Sequence, residues 1–477
     1  MIPLDPGAHV HLIAACGTAM GSLAGLLRER GFRVTGSDAH VYPPMSDFLR
    51  EQGIDLVEGF DPVHVQNPRP DLVVIGNVVS RGNPELEATL AADLPYTSLP
   101  EAIRDLFLVD RRSLVVTGTH GKTTTTAMIA HLLRGGGGDP SFLIAGLPRN
   151  FPRPFHLGRD RWFVIEGDEY DSAYFAKQAK FLFYRPQVLI LNNVEFDHAD
   201  IYRDLEDVVQ SFRQVVNQVP KTGVIIANGD DDLAMELADA AFCPVQTVGM
   251  DHGHHWSIRC IEADAEGQSF ELAVEGESVC KGRLGLSGEH NVRNAVTSLA
   301  ACAWTGAKLE ALLPALTKFS GVRRRQEQLG EVGGILLFDD FAHHPTAVEK
   351  TLAGLRAAHP RRRLWAVFEP ASATNARATF EERYLQSFAA ADNILIAPVP
   401  HPERRGADPG FFPSRLAQGL ADAGKRAWTC DHEGIVSYLR EHAVDGDVIV
   451  FMSNGNFGGV QGQALRALSQ DRVRAPH

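Results

Sequence analysis

The sequence predicts an α/β protein of three domains in series, on three observations. Apolar runs that end in glycine or an acid and lead into helix-patterned stretches recur along the whole chain. They fall into three groups, with breaks near residues 110 and 322. At 477 residues the chain exceeds what one hydrophobic core holds, and about 150 residues per domain gives roughly three. Strands alternating with helices imply parallel, doubly wound sheets. The expected units are 1–110 and 323–477, both Rossmann-like, and 111–322, a phosphate-loop ATPase type of sheet carrying a small antiparallel insertion.

In the first unit, HVHLIAA, CGTAMG, SLAGLLRERGF and RVTGSD (9–38) read as strand, glycine turn, helix and strand, and DLVVIGN (71–77) adds another strand. The turn is a degenerate dinucleotide fingerprint. Ala14 stands at the leading glycine position, Gly17 and Gly21 remain, and Asp38 ends the second strand, where a ribose-binding acid belongs. Such a turn is either a diphosphate cradle or purely structural.

The second unit carries the buried-strand candidates SLVVT, WFVIE, VLILNN and GVIIAN, then polar-alternating pieces over about 245–290 that predict the antiparallel insertion. NVRNAVTSLAACAWTG is its closing helix. GILLFDD, LWAVFEP, NILIAPV and DVIVFMSNG give the third unit four strands.

GTHGKTTTT (118–126) lies between a strand and a helix that GGGG (135–138) should end. Gly118 and Gly121 permit a tight turn that aims backbone N–H groups at a phosphate chain. Only Thr119 and His120 separate them, where the general loop has four residues. Lys122 would reach the β and γ oxygens, and Thr123 would offer its hydroxyl to Mg²⁺. The neighbouring strands run into EGDEYD and NNVEFDHAD, which makes Glu166 and His198 candidate metal ligands. The alternative is that Glu166, Asp168, Glu169 and Asp171 form a solvated acidic loop.

His252, His254 and His255 match no metal-site spacing and read as turn residues. Arg361, Arg362 and Arg363 read as a solvated face, whereas Arg323, Arg324 and Arg325 sit at a linker where closing domains would meet an anion. His343 and His344 precede Pro345 at a helix start and either face a phosphate or cap the helix.

A net charge of −13 argues against a nucleic-acid partner, which needs clustered Lys and Arg. Six scattered cysteines without a C-x-x-C pair fit reduced thiols in the cytoplasm. No basic leader or apolar run of about 18 residues suggests membrane insertion.

GTHGKTTT, EGDEYD, NNVEFDHADIY, GEHNVRN, FSGVRRRQE and DDFAHHPTAV, in this order, resemble the motifs of the Mur ligases, ATP-dependent amide-forming enzymes of peptidoglycan synthesis. Within that family SDAHVYPPMSDFLREQGI, IGNVVSRGNP and MSNGNFGG resemble the branch that joins UDP-N-acetylmuramate to the tripeptide L-Ala-γ-D-Glu-meso-diaminopimelate during recycling. Tetra- and pentapeptides are the longer alternatives. The resemblance implies that Gly118, Thr119, His120, Gly121, Lys122, Thr123 and Thr124 hold the ATP phosphates, and that Thr123, Glu166 and His198 hold Mg²⁺. It implies that His290, Asn291 and Asn294 contact ATP near its base, that Arg324 and Asp340 serve the interdomain ATP region, and that His344 lies close to the phosphates. Gly17, Thr18, Met20, Gly21, Ser37, Asp38 and Asn77 would receive the UDP-sugar.

Four positions depart from the family pattern or need placing in it. They are Ala14, Gly167 where alanine is usual, Ala371 where FEPASATNAR lacks an arginine that Arg377 would replace, and Arg213 near the position of a carbamylated lysine in other members. Two rival readings are an L-alanine-adding ligase and a UDP-sugar-binding regulator with vestigial ATPase activity.

Overall fold

A computed structural model of the chain describes residues 4–42, 45–197, 201–250, 252–371, 381–400 and 413–473. The first sheet is wholly parallel, in the spatial order Asp55–Glu58, Arg33–Asp38, His9–Ile13, Leu72–Ile75, Tyr96–Ser98. Chain order reverses between His9–Ile13 and Leu72–Ile75, which opens a crevice at their carboxyl ends. The helix Thr18–Glu29 starts there, with Gly17 as its N-cap.

Among the described residues the central sheet has ten strands. Its parallel heart runs Val245–Gly249, Val224–Asn228, Pro186–Leu191, Arg112–Thr117, Trp162–Glu166, Ser141–Leu143. These strands read as continuous apolar runs because both faces are covered. Leu114 and Val116 join one core, with Ala127, Leu132 and Leu299 of two helices, while Val115 enters the other. Trp256–Asp264 joins this sheet in parallel beside Val245–Gly249, and Gly267–Val274 and Glu277–Leu284 follow it antiparallel, so the expected antiparallel insertion extends the sheet at one edge. The helix Lys122–Gly135 ends at the predicted glycine run, with Gly136 as its C-cap.

The first and central sheets share a core. Phe48 meets Phe155 edge-on at 6.0 Å between ring centroids, and Phe107 meets Phe163 at 6.5 Å. The third sheet runs Glu327–Val332, Ile335–Asp340, Val448–Met452, Leu364–Phe368, Asn393–Ile396, Arg426–Thr429, and only the first pair is antiparallel.

Ala14 occupies the left-handed region at φ 65°. The usual glycine at this turn therefore has a conformational reason, and this chain carries the strain. Beside it stands Gly76, whose added Cβ would lie 3.1 Å from the Ala14 methyl. Ala14→Gly should stabilise the fold by about 1 kcal/mol, the left-handed penalty less part of glycine's extra unfolded-state entropy. A lower thermal midpoint for the variant would contradict this reading.

Candidate functional site

Three strand ends of the central sheet converge. Arg112–Thr117 is hydrogen-bonded to both Trp162–Glu166 and Pro186–Leu191, so the phosphate loop is flanked by Glu166 on one side and by residues 192–197 on the other. The loop is laced to the second neighbour. Thr119 N–H donates to the Asn193 carbonyl at 3.0 Å, His120 N–H donates to Asn193 Oδ1 at 2.8 Å, and Glu195 N–H donates to Thr119 Oγ1 at 2.8 Å. Gly118, at φ 124°, runs so close to this segment that an added Cβ would lie 2.9 Å from that of Asn192. Gly121, at φ 82°, caps the helix that begins at Lys122.

Lys122 Nζ is buried and donates to the Gly118 and Thr119 carbonyls at 2.7 and 3.2 Å and to both oxygens of Glu169 at 3.0 and 2.8 Å. Burial alone would lower its pKa, but Glu169, Asp168 and Glu166 outweigh burial and hold it above the ordinary lysine value. Thr123 Oγ1 donates to Glu166 Oε2 at 3.0 Å, and Ala145 N–H donates to Glu166 Oε1 at 2.6 Å. Burial pushes the Glu166 carboxyl above its usual range, against the Ala145 N–H, the Thr123 hydroxyl and the Lys122 and Arg325 cations.

These groups line a cavity of about 390 Å³ between the central and third sheets. Thr119, His120, Gly121, Thr124, His290, Asn291, Asn294 and Asp340 line it too. Burial, with Lys350 and Arg293 nearby, drives His290 down to about 3, so it faces the cavity uncharged. Asp340 accepts the N–H groups of Gln326 and Ala342, both at 2.6 Å, and so pins the linker to the third sheet.

Arg324 is turned away from the cavity. Its guanidinium donates to the Ser453 and Gly455 carbonyls at 2.6 and 2.5 Å, and Arg325 takes the lining position, stacked 4.7 Å over Phe341. His344 N-caps the helix Pro345–Ala358 and lies outside the lining, which His343 joins instead. Lys350 and Gln326 are lining residues that sequence reasoning missed, and the Gln326 amide is buried with neither its nitrogen nor its oxygen hydrogen-bonded. His198 and Arg377 lie outside the described residues.

In the first-sheet crevice Gly17 and Thr18 are exposed, whereas Met20 and Gly21 are buried in the core. The Ser37 hydroxyl is committed to buried Glu85, and Asp38 accepts the Cys16 N–H at 2.8 Å, which shapes the turn. Asn77 reaches the central unit, donating to Asp171 at 3.0 Å. Arg213, expected near the position of a carbamylated lysine in other members, lies on the helix Leu205–Val216 and pairs with Glu206 and Glu236 at 2.8 and 2.9 Å. Gly167 packs tightly, and a Cβ there would lie 2.5 Å from Thr117 Cγ2. His254 and His255 contact Asp230 and Thr247, as turn residues would.

A nucleotide-gripping sheet set between two further α/β units, with a carboxylate facing the phosphate-loop threonine, defines a class that comparison makes specific. Residues 9–110 match the Mur ligase family catalytic domain, 116–302 the Mur ligase middle domain and 324–455 the Mur ligase glutamate ligase domain. The chain belongs to the Mur ligase family. It is 40% identical to the UDP-N-acetylmuramate–L-alanyl-γ-D-glutamyl-meso-2,6-diaminoheptandioate ligase of Escherichia coli (strain K12), over 97% of this chain and 98% of that one. The crystal structure of a murein peptide ligase from Psychrobacter arcticus 273-4 is similar with a TM-score of 0.72 at 37% identity, covering 97% of this chain and 99% of that one. The UDP-N-acetylmuramate–L-alanine ligase of Desulfitobacterium hafniense (strain Y51) is 32% identical, over 96% of this chain and 99% of that one. Among the described residues no helix is long and apolar enough to cross a membrane.

Proposed function

We propose that this chain is an ATP-dependent ligase that joins the lactyl carboxylate of UDP-N-acetylmuramate to the amino group of L-Ala-γ-D-Glu-meso-diaminopimelate, in the cytoplasm, during peptidoglycan recycling. The observation that carries the reading is the cavity in which Lys122, Thr123 and Glu166 face Arg325 and His343 of the third unit. In this reading residues 1–110 hold the UDP-sugar, 111–322 hold ATP and 323–477 hold the peptide.

The carboxylate attacks the γ-phosphorus of ATP, expelling ADP and giving an acyl phosphate, and the peptide amine then attacks the acyl carbon, displacing phosphate and losing a proton. A free carboxylate is a poor acylating agent, so phosphorylation supplies the leaving group. Lys122 and the N–H groups at the helix N-terminus offset the charge that develops on the phosphoryl oxygens. Thr123 and Glu166 present converging oxygen donors, which suit a hard cation, and His198 would add a third ligand. Mg²⁺ bound there would neutralise phosphate charge. The unpaired amide of Gln326 and the neutral ring of His290 offer hydrogen-bonding groups to a nucleotide. Closure of the third unit would keep water from the acyl phosphate.

The identity of 40% to a tripeptide-joining relative against 32% to an L-alanine-joining one favours the tripeptide. Phosphate release with Mg-ATP and UDP-N-acetylmuramate should occur with the tripeptide and not with L-alanine, and the product mass should equal the sum of both substrates less water. Turnover with L-alanine alone would move the chain to the other branch, and silence with both would favour a binding protein.

A further inference from the structure

The ligase reading assigns no joint role to a His–Glu–His constellation behind the phosphate loop. His120 belongs to the loop, Glu195 follows the strand Pro186–Leu191, and His344 stands at the start of the helix Pro345–Ala358. One ligand atom from each lies within 4.8 Å of the other two. His120 Nε2 is 3.7 Å from Glu195 Oε1, and His344 Nδ1 is 3.6 Å from Glu195 Oε2. The two imidazole centroids are 5.0 Å apart. Only His120 is shared with the nucleotide cavity; Glu195 and His344 do not line it. His120 Nε2 is buried without a hydrogen-bond partner, an arrangement that is costly unless a ligand completes it.

We propose that His120, Glu195 and His344 form a second divalent-cation site, separate from the oxygen pair of Thr123 and Glu166 and suited to the Zn²⁺ and Co²⁺ class. Two imidazole nitrogens and one carboxylate match the donors such ions take, whereas Mg²⁺ prefers oxygen. Around a tetrahedral ion with bonds of about 2.0–2.1 Å, neighbouring ligand atoms sit roughly 3.4 Å apart. The observed separations of 3.6 and 3.7 Å therefore need only small adjustments. Burial lowers the pKa of both histidines, for His120 with help from the His344 charge and for His344 against Glu195 and Asp197. Neutral rings keep a lone pair for a metal.

Glu195 is already oriented, since Thr346 Oγ1 donates to it at 2.6 Å and Arg383 Nη2 at 3.3 Å. The arginine offsets the carboxylate charge without a metal and competes with one. A cation here would tie the phosphate loop of the central sheet to a helix of the third unit. Filling the site should slow turnover by resisting the opening that product release requires.

The test is a Co²⁺ titration of chelator-treated full-length protein, followed by visible d–d absorption. One equivalent should produce the band, and Glu195→Gln and His344→Gln should each weaken binding about tenfold or more. Glu166→Gln should leave the band in place, and Arg383→Ala, by freeing Glu195, should tighten binding, a gain that misfolding cannot mimic. The proposal falls if no band forms, if Glu195→Gln leaves it intact, if Glu166→Gln abolishes it, or if Arg383→Ala weakens it.

Discussion

Replacing Lys122 with methionine should lower kcat for ligation by about 10²–10³, the usual loss when one preorganised donor to a charged transition state is removed. Its ammonium is held by two loop carbonyls and by Glu169, so the position is set before any nucleotide arrives. On binding, the phosphate oxygens would take over contacts that Glu169 supplies in their absence. The same substitution removes one partner of a buried ion pair, which costs about 3–5 kcal/mol of stability where the other charge stays buried. A lost activity could thus be misread as lost folding. The double variant Lys122→Met with Glu169→Gln separates the two, because it removes both charges together. It should recover most of the thermal midpoint and remain inactive. A single variant that kept more than about a tenth of wild-type phosphate release would overturn the clamp assigned to Lys122.

The parts of this site that could be read from the sequence are those fixed by local chemistry. A buried parallel strand reads as an unbroken apolar run, and glycines mark the turn that leaves it, so the phosphate loop and the strand end at Glu166 were legible. The half-exposed edge strands Glu327–Val332 and Arg426–Thr429 lack that signature and went unseen. In EGDEYD the strand end singles out Glu166, which does meet Thr123, but Asp168, Glu169 and Asp171 are equivalent on paper; only the folded loop gives Glu169 to Lys122. The three consecutive arginines pose the same problem. Arg324 adopts φ 59°, and this left-handed step sends its guanidinium toward Ser453 while Arg325 faces the cavity. Lys350 and the contact of Glu195 with His344 depend on packing the central unit against the third, which no local pattern encodes.

Glu166→Gln should abolish most turnover yet stabilise the metal-free protein. The activity loss should reach about 10²-fold or more, since a bound cation supplies several kcal/mol of charge stabilisation and each 1.36 kcal/mol is tenfold in rate. The stability gain follows from the raised pKa of Glu166, caused by burial. A carboxyl whose folded pKa lies above its unfolded value binds a proton on folding. Its ionised form therefore weakens the fold at neutral pH, and the penalty fades as pH falls through the raised folded value and is gone below the unfolded one. Glutamine keeps the Ala145 contact through its amide oxygen and can donate to the Thr123 hydroxyl, so it fills the position without the charge. The thermal midpoint of the variant should exceed that of wild type at neutral pH and converge with it in acid. Mg²⁺ reverses the order, because it requires the carboxylate. Wild-type affinity for Mg²⁺ should fall as pH drops through the raised pKa, with a proton released on binding that calorimetry in buffers of different ionisation enthalpy would register. The variant should show neither the proton release nor the metal-dependent stabilisation. A variant less stable than wild type at neutral pH, or wild-type Mg²⁺ binding indifferent to pH, would mean that Glu166 supports the fold instead of waiting for the metal.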